Sequence, residues 1–364
     1  MKLGILGGGQ LARMLALSAH PLGIPVACLD PAPAACAAPV TDYLQGAYDD
    51  PSGLSELAGR ADIVTYEFEN VPTESVRVLS QHGPIHPGPG ALATAQDRLF
   101  EKQLFRKLGI PTPGFAAVDN PADLKRAVSE LGLPAILKTR RLGYDGKGQS
   151  VLKLPGDMGQ AWNALGHVPC ILEAFVPFER ELSVIAVRAS DGQRGFYPVS
   201  ENTHRDGILR LALSRPNDPQ QETAETLVGR LVDDLDYVGV IALELFQTRE
   251  GLLANEFAPR VHNSGHWTIE GAETSQFENH VRAVMGLPLG STAAVGHAAM
   301  VNFIGAMPDP AAVLTLPHTH LHAYDKAPRS ARKVGHATVR TLDGARLDEF
   351  VRPLLQLANG VADG

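Results

Sequence analysis

Residues 138–149 read KTRRLGYDGKGQ, and what flanks them decides what kind of chain this is. Gly143, Gly146 and Gly148 stand between two runs of β type, PAILK before and SVLKL after. A phosphate loop of the G-x-x-x-x-G-K-[ST] kind needs a helix N-terminus behind it, and no helical run follows here. A glycine-rich β-hairpin can instead fold over a triphosphate. Its backbone N–H groups then turn to the oxygens while Lys138 and Lys147 neutralise charge. The expectation is a nucleotide lid at 143–149, formed by Gly143, Tyr144, Asp145, Gly146, Lys147, Gly148 and Gln149.

Towards the N-terminus the pattern changes. LGILG, PVACLD and DIVTYEF are short apolar runs ending in polar or glycine residues, with QLARMLALSAHPLG as a crossover helix between the first two. Such alternation predicts a doubly wound, parallel-sheet unit. Its first turn, GGGQLARM, meets the dinucleotide fingerprint through Gly7, Gly9 and Ala12, with Asp30 ending the next strand where a ribose carboxylate would stand. Nothing downstream resembles a hydride-transfer site, so a substrate phosphate, or no ligand, suits this helix start better. The run DRLFEKQLFRKLG predicts a helix capped by Asp97 and stopped at Gly109, with Phe100, Leu104 and Leu108 along one stripe. IPTPGF reads as a linker, and TSQFENHVRAVMG as a helix capped by Thr274. The expected division is a Rossmann-like domain at 1–96, a nucleotide domain at 97–290 and a small β-rich domain at 291–364.

Past the lid, VIALELF and LLANEF flank QTREG. If that segment turns the chain, Glu244 and Glu256 face each other on neighbouring strands. Like charges so placed destabilise a sheet unless something joins them, and Mg²⁺ held by two carboxylates and substrate phosphates is a natural bridge. Asn255 adds a neutral oxygen. In APRVHNSGHWT, His262 and His266 have the spacing of zinc ligands on a helix, but Pro259, Asn263, Ser264 and Gly265 make a loop and no third ligand is evident. Arg260, His262 and Asn263 suit an anion and a polar substrate better. YDKAPRSARKVGH packs Lys326, Arg329, Arg332 and Lys333 together, which favours a phosphate.

The chain has 364 residues, with 32 Lys and Arg against 40 Asp and Glu, a net charge of −8. That balance argues against a nucleic-acid partner. No run is apolar enough for a membrane span or signal peptide, and the 3 cysteines show no metal or redox spacing. A cytoplasmic protein is expected.

Together GGGQLARM, YEFENV, KTRRLGYDGKGQ, VPFERELSVIAVR, ENTHRDGIL, the long segment NEFAPRVHNSGHWTIEGAETSQFENHVRAVMGLPLG and YDKAPRSARKVGH resemble the N5-carboxyaminoimidazole ribonucleotide synthetase family. The resemblance runs from Met1 to about Gly335. It implies an α/β, ATP-grasp ligase of purine biosynthesis that joins bicarbonate to the amine of 5-aminoimidazole ribonucleotide through carboxyphosphate, with ATP going to ADP and phosphate. By residue matching, ATP would contact Arg98, Lys138, the lid, Glu173, Ala174, Phe175, Val176, Glu181, His204, Asn255 and Glu256. Glu244 and Glu256 would hold Mg²⁺, with Mn²⁺ as an alternative. Tyr144, Asp145, Arg260, His262, Asn263, Lys326 and Arg332 would bind the ribonucleotide. Asp145, Arg260, His262 and Asn263 would do the chemistry, with the proton going to His262 or Asp145. Analogy implies a homodimer. Leu142 and Val261 stand where the family usually has glycine and proline. The rival readings are a formate-dependent glycinamide ribonucleotide transformylase, a biotin carboxylase-like ligase, or a nucleotide-binding module without turnover.

Overall fold

The computed structural model describes residues 1–143 and 146–362; Tyr144 and Asp145 lie outside the described residues. The chain opens on a parallel sheet of β1 (Leu3–Leu6), β2 (Val26–Asp30), β3 (Asp42–Gln45) and β4 (Ile63–Tyr66) in the order β3-β2-β1-β4. Helix α1 (Gln10–Ala19) links β1 to β2, and α2 (Pro51–Arg60) links β3 to β4. Leu3, Ile5, Leu6, Cys28 and Leu29 are wholly buried, as strands covered on both faces require. Helices α3 (Thr73–Ser80) and α4 (Pro89–Ala95) lead out of this unit.

The glycines of the first turn accommodate the protein's own carboxylates. Gly7 has φ +111°, and a Cβ on Gly9 would collide with Glu67 Oε1. Glu67 instead accepts hydrogen bonds from Gly9 N (2.6 Å) and Ala12 N (3.0 Å) at the positive end of α1. Asp30 accepts from Gly8 N, Ala32 N and the Tyr48 hydroxyl at 2.6–2.8 Å. The groups a dinucleotide would use are occupied from within.

Helix α5 (Arg98–Lys107) starts as expected, its cap Asp97 accepting from Leu99 N at 3.0 Å, but it is turned differently. Phe100 is 49% exposed, while Glu101, Lys102 and Phe105 are buried. Leu104 and Leu108 still pack partly buried against the core, so only Phe100 leaves the expected stripe, and Glu101 and Lys102 share the inner face for reasons that lie in the strand it packs on.

A four-stranded sheet follows, of β5 (Phe115–Val118), β6 (Ala135–Thr139), β7 (Gln149–Leu152) and β8 (Cys170–Ala174), in the order β5-β8-β6-β7. Helices α6 (Pro121–Leu131) and α7 (Asp157–Ala164) cover it. The large sheet comprises β9 (Arg180–Arg188), β10 (Arg194–Phe196), β11 (Ser200–Arg205), β12 (Ile208–Ser214), β13 (Gly239–Thr248), β14 (Gly251–Ala258), β15 (His297–Ile304), β16 (Thr319–Ala323) and β17 (Lys333–Thr341). Its path is β14-β13-β9-β11-β12-β15-β17-β16, with β10 beside β9. The strands beyond residue 290 therefore extend this sheet through the β12–β15 pairing.

Helices α8 (Gln221–Asp234), α9 (Thr268–Gly271), α10 (Gln276–Val284), α11 (Pro310–Leu314) and α12 (Leu347–Ala362) complete the chain. The cap of α10 is Ser275, which accepts from Glu278 N, one residue beyond the expected Thr274. His280 on α10 locks the first unit to the large sheet. Its Nδ1 accepts from Val240 N (3.0 Å), which leaves Nε2–H to donate to Thr65 Oγ1 (2.9 Å). Burial holds this imidazole down at about 3, so it stays neutral.

Candidate active site

In the β13–β14 hairpin Glu244 lies directly opposite Glu256, and the register slips immediately afterwards, Leu245 pairing with Ala254. Asn255 is the extra residue of this β-bulge, a device that re-aims side chains beside functional sites. Its Oδ1 is buried with no hydrogen-bond partner among the described residues.

The two glutamates are held unequally. Glu256 accepts from Arg98 Nη1 at 2.5 Å; burial works against its charge, but Arg98 and Lys138 outweigh it and lower the carboxyl below its ordinary value. Glu244 is shifted the other way. Burial and the Glu256 charge push it up to about 7. His262 fixes it in place: Nδ1 accepts from Ser264 N, and Nε2 lies 3.2 Å from Glu244 Oε1, as a donor must. Burial, then Arg260 and Lys333, depress His262 far below the usual histidine range, so it is neutral.

Two opposed carboxylates, one carrying charge only at a cost, beside an unpartnered amide oxygen form an all-oxygen donor set. That set fits a hard divalent cation better than a soft one.

Because β14 is the edge strand of the large sheet, its outer polar groups need partners. Helix α5 supplies them. Arg98 takes Glu256, Glu101 Oε1 accepts from Phe257 N (2.7 Å), and Lys102 Nζ donates to the carbonyls of Asn255 (2.6 Å) and Ala254 (3.3 Å). The spacing i, i+3, i+4 puts all three on one helix face. Burial and the Glu256 charge raise Glu101 to about 8.

Lys138 on β6 pairs with Glu173 on β8 at 3.0 Å. The Glu173 side chain is buried, so of the residues matched to ATP it serves as the lysine's counter-ion. Burial alone would raise its carboxyl, but Lys138 and Lys102 outweigh it and hold it at about 2. Ala174 ends β8; Phe175 and Val176 follow it, with Phe175 46% exposed. Glu181 on β9 approaches His204 on β11, Oε2 to Nδ1, at 2.9 Å.

The lid begins at Gly143, whose carbonyl lies 3.4 Å from Arg98 Nη2. Gly146 and Gly148 have φ of +75° and +70°. A Cβ on Gly148 would come within 2.6 Å of Thr139 Oγ1, and one on Gly146 within 3.2 Å of the Asp206 carbonyl in the β11–β12 turn. Lys147 follows Gly146, and Gln149 opens β7. Leu142 has φ +62° and is 74% exposed; the backbone there takes the left-handed form that favours glycine.

Arg260 follows β14 and forms an ion pair with Glu69. Asn263 is engaged in a reciprocal amide pair with Asn302 on β15, at 2.6 and 3.1 Å. Lys326 Nζ hydrogen-bonds Gln10 Oε1 at the start of α1 and lies 5.9 Å from the Tyr324 ring centre. Arg332 sits in the same loop, its Nη1 on the Ala327 carbonyl at 3.2 Å. The basic run thus reaches the first glycine turn, which sequence distance concealed. His266 shares Gln276 with the His262 backbone and packs on the His336 ring, away from the glutamate pair. A surface depression of about 730 Å³ between Phe196, Pro216 and Glu222 shares no residue with this site.

Comparison with known proteins matches a ribonucleotide synthetase preATP-grasp domain over residues 1–96. It also matches an ATP-grasp domain over 103–277 and a phosphoribosylaminoimidazole carboxylase C-terminal domain over 298–349. The N5-carboxyaminoimidazole ribonucleotide synthase of Pseudomonas aeruginosa is 58% identical over 347 residues, 95% of this chain and 96% of that one. The chain belongs to the N5-carboxyaminoimidazole ribonucleotide synthase family. The synthetase of Thermus thermophilus has a crystal structure similar to this one, with a TM-score of 0.94 at 52% identity over 98% of each chain. The synthase of Aspergillus clavatus, solved in complex with ADP and 5-aminoimidazole ribonucleotide, gives 0.92 at 32% identity over 99% of this chain and 98% of that one. The protein is an ATP-dependent ligase of this synthase family, built on the ATP-grasp architecture its motifs imply.

Four residues of the site were not singled out in the sequence: Glu69, Glu101, Lys102 and Gln10. A signal for two of them exists in hindsight, because Arg98, Glu101 and Lys102 repeat at helical spacing.

Proposed function

We propose that ATP-dependent carboxylation of 5-aminoimidazole ribonucleotide takes place between Lys138, Arg98 and the Glu244–Glu256 pair on one side and Arg260 and Lys326 on the other. The observation that carries this reading is the opposed glutamate pair, with cations on Glu256 and a neutral histidine on Glu244.

Lys138 and Arg98 are assigned to neutralise the ATP phosphates. Glu244 and Glu256, with Asn255 beside them, are assigned to hold Mg²⁺, which when bound offsets charge on the β- and γ-phosphates. A bicarbonate oxygen attacks the γ-phosphorus, the β–γ bridging P–O bond breaks, and ADP departs with the electron pair. Arg260, fixed by Glu69, provides a preorganised positive charge for the carboxyphosphate so formed. The exocyclic amine then attacks its carbon, the C–O bond to phosphate breaks, and the amine proton is lost. The lid at 143–149 is assigned to exclude water, which would hydrolyse the intermediate. Lys326 and Arg332 are assigned to the ribonucleotide phosphate.

Both ring nitrogens of His262 are engaged. We therefore give it the task of orienting Glu244 and leave Asp145 as the candidate proton acceptor. Asn263, tied to Asn302, is assigned to shape the loop. From the family relation we also infer a homodimer, which light scattering would read. The buried free thiols Cys28, Cys36 and Cys170 support a cytoplasmic setting.

Phosphate release tests the reading. It should require bicarbonate and rise with 5-aminoimidazole ribonucleotide, not with glycinamide ribonucleotide and formate, nor with biotin. Turnover with either of the latter pairs, or none with the former, would overturn it.

A further inference from the structure

Glu173 meets two lysines through a single oxygen. Lys138 Nζ stands 3.0 Å from Oε2 and Lys102 Nζ 3.5 Å from the same atom. Oε1 is buried with no hydrogen-bond partner among the described residues. The side chains of Lys102, Glu173 and Lys138 are 0%, 3% and 9% exposed. Burying a second cation beside a carboxylate that already has one is expensive, so a site that does so needs a reason.

The lysines differ in their other attachments. Lys102 is anchored on the carbonyls of Asn255 and Ala254, which belong to the backbone of β14. Lys138 rises from β6, the strand that runs into the lid. A phosphate that draws Lys138 away would leave Glu173 buried and unpaired if it had no second cation, and that penalty would be subtracted from the affinity for nucleotide.

We infer that Lys102 is a positioning residue that keeps Glu173 neutralised when Lys138 turns to the nucleotide phosphates. The surplus cation makes Lys138 available at little cost, and the empty Oε1 lets Glu173 re-form its contact to Lys102 as Lys138 departs. This rests on the assignment of Lys138 to ATP.

The test is a double-mutant cycle on the full-length enzyme, read as the Kd for Mg-ATP by titration calorimetry and as the KM for ATP. Lys102→Met should weaken ATP binding about ten- to a hundredfold, whereas Lys102→Arg, which keeps the charge, should stay within about threefold. Adding Glu173→Gln to Lys102→Met should restore most of the loss, because no carboxylate remains to be stranded; damage to β14 would not be repaired in this way.

If Lys102→Met does not fold, the comparison passes to Lys102→Met/Glu173→Gln against Glu173→Gln alone, which should bind ATP equally. Unchanged binding in Lys102→Met, an absent rescue, or a tenfold gap between those last two variants would overturn the inference. Lys138→Met separates the two claims. If it leaves ATP binding intact, the ATP assignment of Lys138 itself is wrong. If it weakens binding while Lys102→Met does not, only the role of Lys102 fails.

Discussion

Glu244→Gln should stabilise the metal-free enzyme at pH 8 and do so several times less at pH 5. In the fold, burial and Glu256 put the Glu244 carboxyl at about 7, against 4.5 ordinarily. The folded protein thus keeps a proton on Glu244 that the unfolded chain has released. Stability is lost as pH rises from the ordinary value through the raised one, and the full penalty stands above pH 7. At about 1.36 kcal/mol for each tenfold in the proton equilibrium, ionising Glu244 in place costs about 3 kcal/mol. Glutamine imitates the protonated acid, and its carbonyl can still accept from His262 Nε2–H, so the substitution removes the penalty without leaving the imidazole unpaired.

Over 364 residues, at about 2.1 cal/mol/K per residue, that energy corresponds to a rise in Tm of about 4 °C for cooperative unfolding. The assay is thermal unfolding in EDTA from pH 5 to pH 8, wild type beside variant. Glu256→Gln is the contrast: it removes the carboxylate that Arg98 grips, and should gain no stability at either pH. Both variants should lose turnover by about a hundredfold or more with saturating Mg-ATP, as removal of transition-state charge stabilisation does. A Glu244→Gln variant whose Tm advantage is the same at pH 5 and pH 8, or absent at both, would refute the idea that a strained carboxylate pair awaits a cation.

Limited trypsin digestion should cut near Lys147 in the nucleotide-free enzyme and slow when Mg-ATP is present; equal rates would remove the lid assignment. Leu142→Gly should be about 1 kcal/mol more stable than Leu142→Val, since a β-branched residue is especially strained at the observed φ of +62°; thermal melts would show equality if the backbone there is unstrained. Lys326→Met should raise the KM for 5-aminoimidazole ribonucleotide about ten- to a hundredfold through loss of a charge-assisted contact, with the KM for ATP little changed. The reverse pattern in steady-state kinetics would assign the basic loop to the other substrate.

The elements that repeat a simple period were legible. β1, β2 and β4 announce a parallel sheet because each must be apolar on both faces, and the β13–β14 hairpin places Glu244 opposite Glu256 because a short turn fixes register. The glycine fingerprint of the first turn was legible as geometry and misleading as chemistry. Close approach to Gly7 and Gly9 can be made by any carboxylate, and Glu67 arrives from a strand whose contact with that turn no local pattern records. The Lys326–Gln10 bond joins residues 316 apart, a pairing that only the closed fold creates.

Helix α5 shows most sharply why part of the site stayed hidden. Taking the whole stripe of Phe100, Leu104 and Leu108 as the inner face assumes that a helix turns its oily side inward, which holds where the surface it covers is apolar, as it is for Leu104 and Leu108 but not for Phe100. The surface here is the open edge of β14, a row of N–H and C=O groups that no strand pairs on its outer side. Against such an edge an apolar face would leave each of those groups unsatisfied, at about 1–3 kcal/mol apiece. Glu101 and Lys102 answer Phe257 N and the carbonyls of Ala254 and Asn255, the Pro111 carbonyl takes Ala254 N, and Arg98 delivers charge to the site through Glu256. The partial exposure of Phe100 is the cost of that arrangement. The hydrophobic rule holds for Leu104, Phe105 and Leu108; what it does not foresee is the burial of Glu101 and Lys102 beside them, set by the obligation to pair buried backbone. Wherever an edge strand carries catalytic carboxylates, the helix covering it should be read for charges at i, i+3 and i+4 before it is read for leucines.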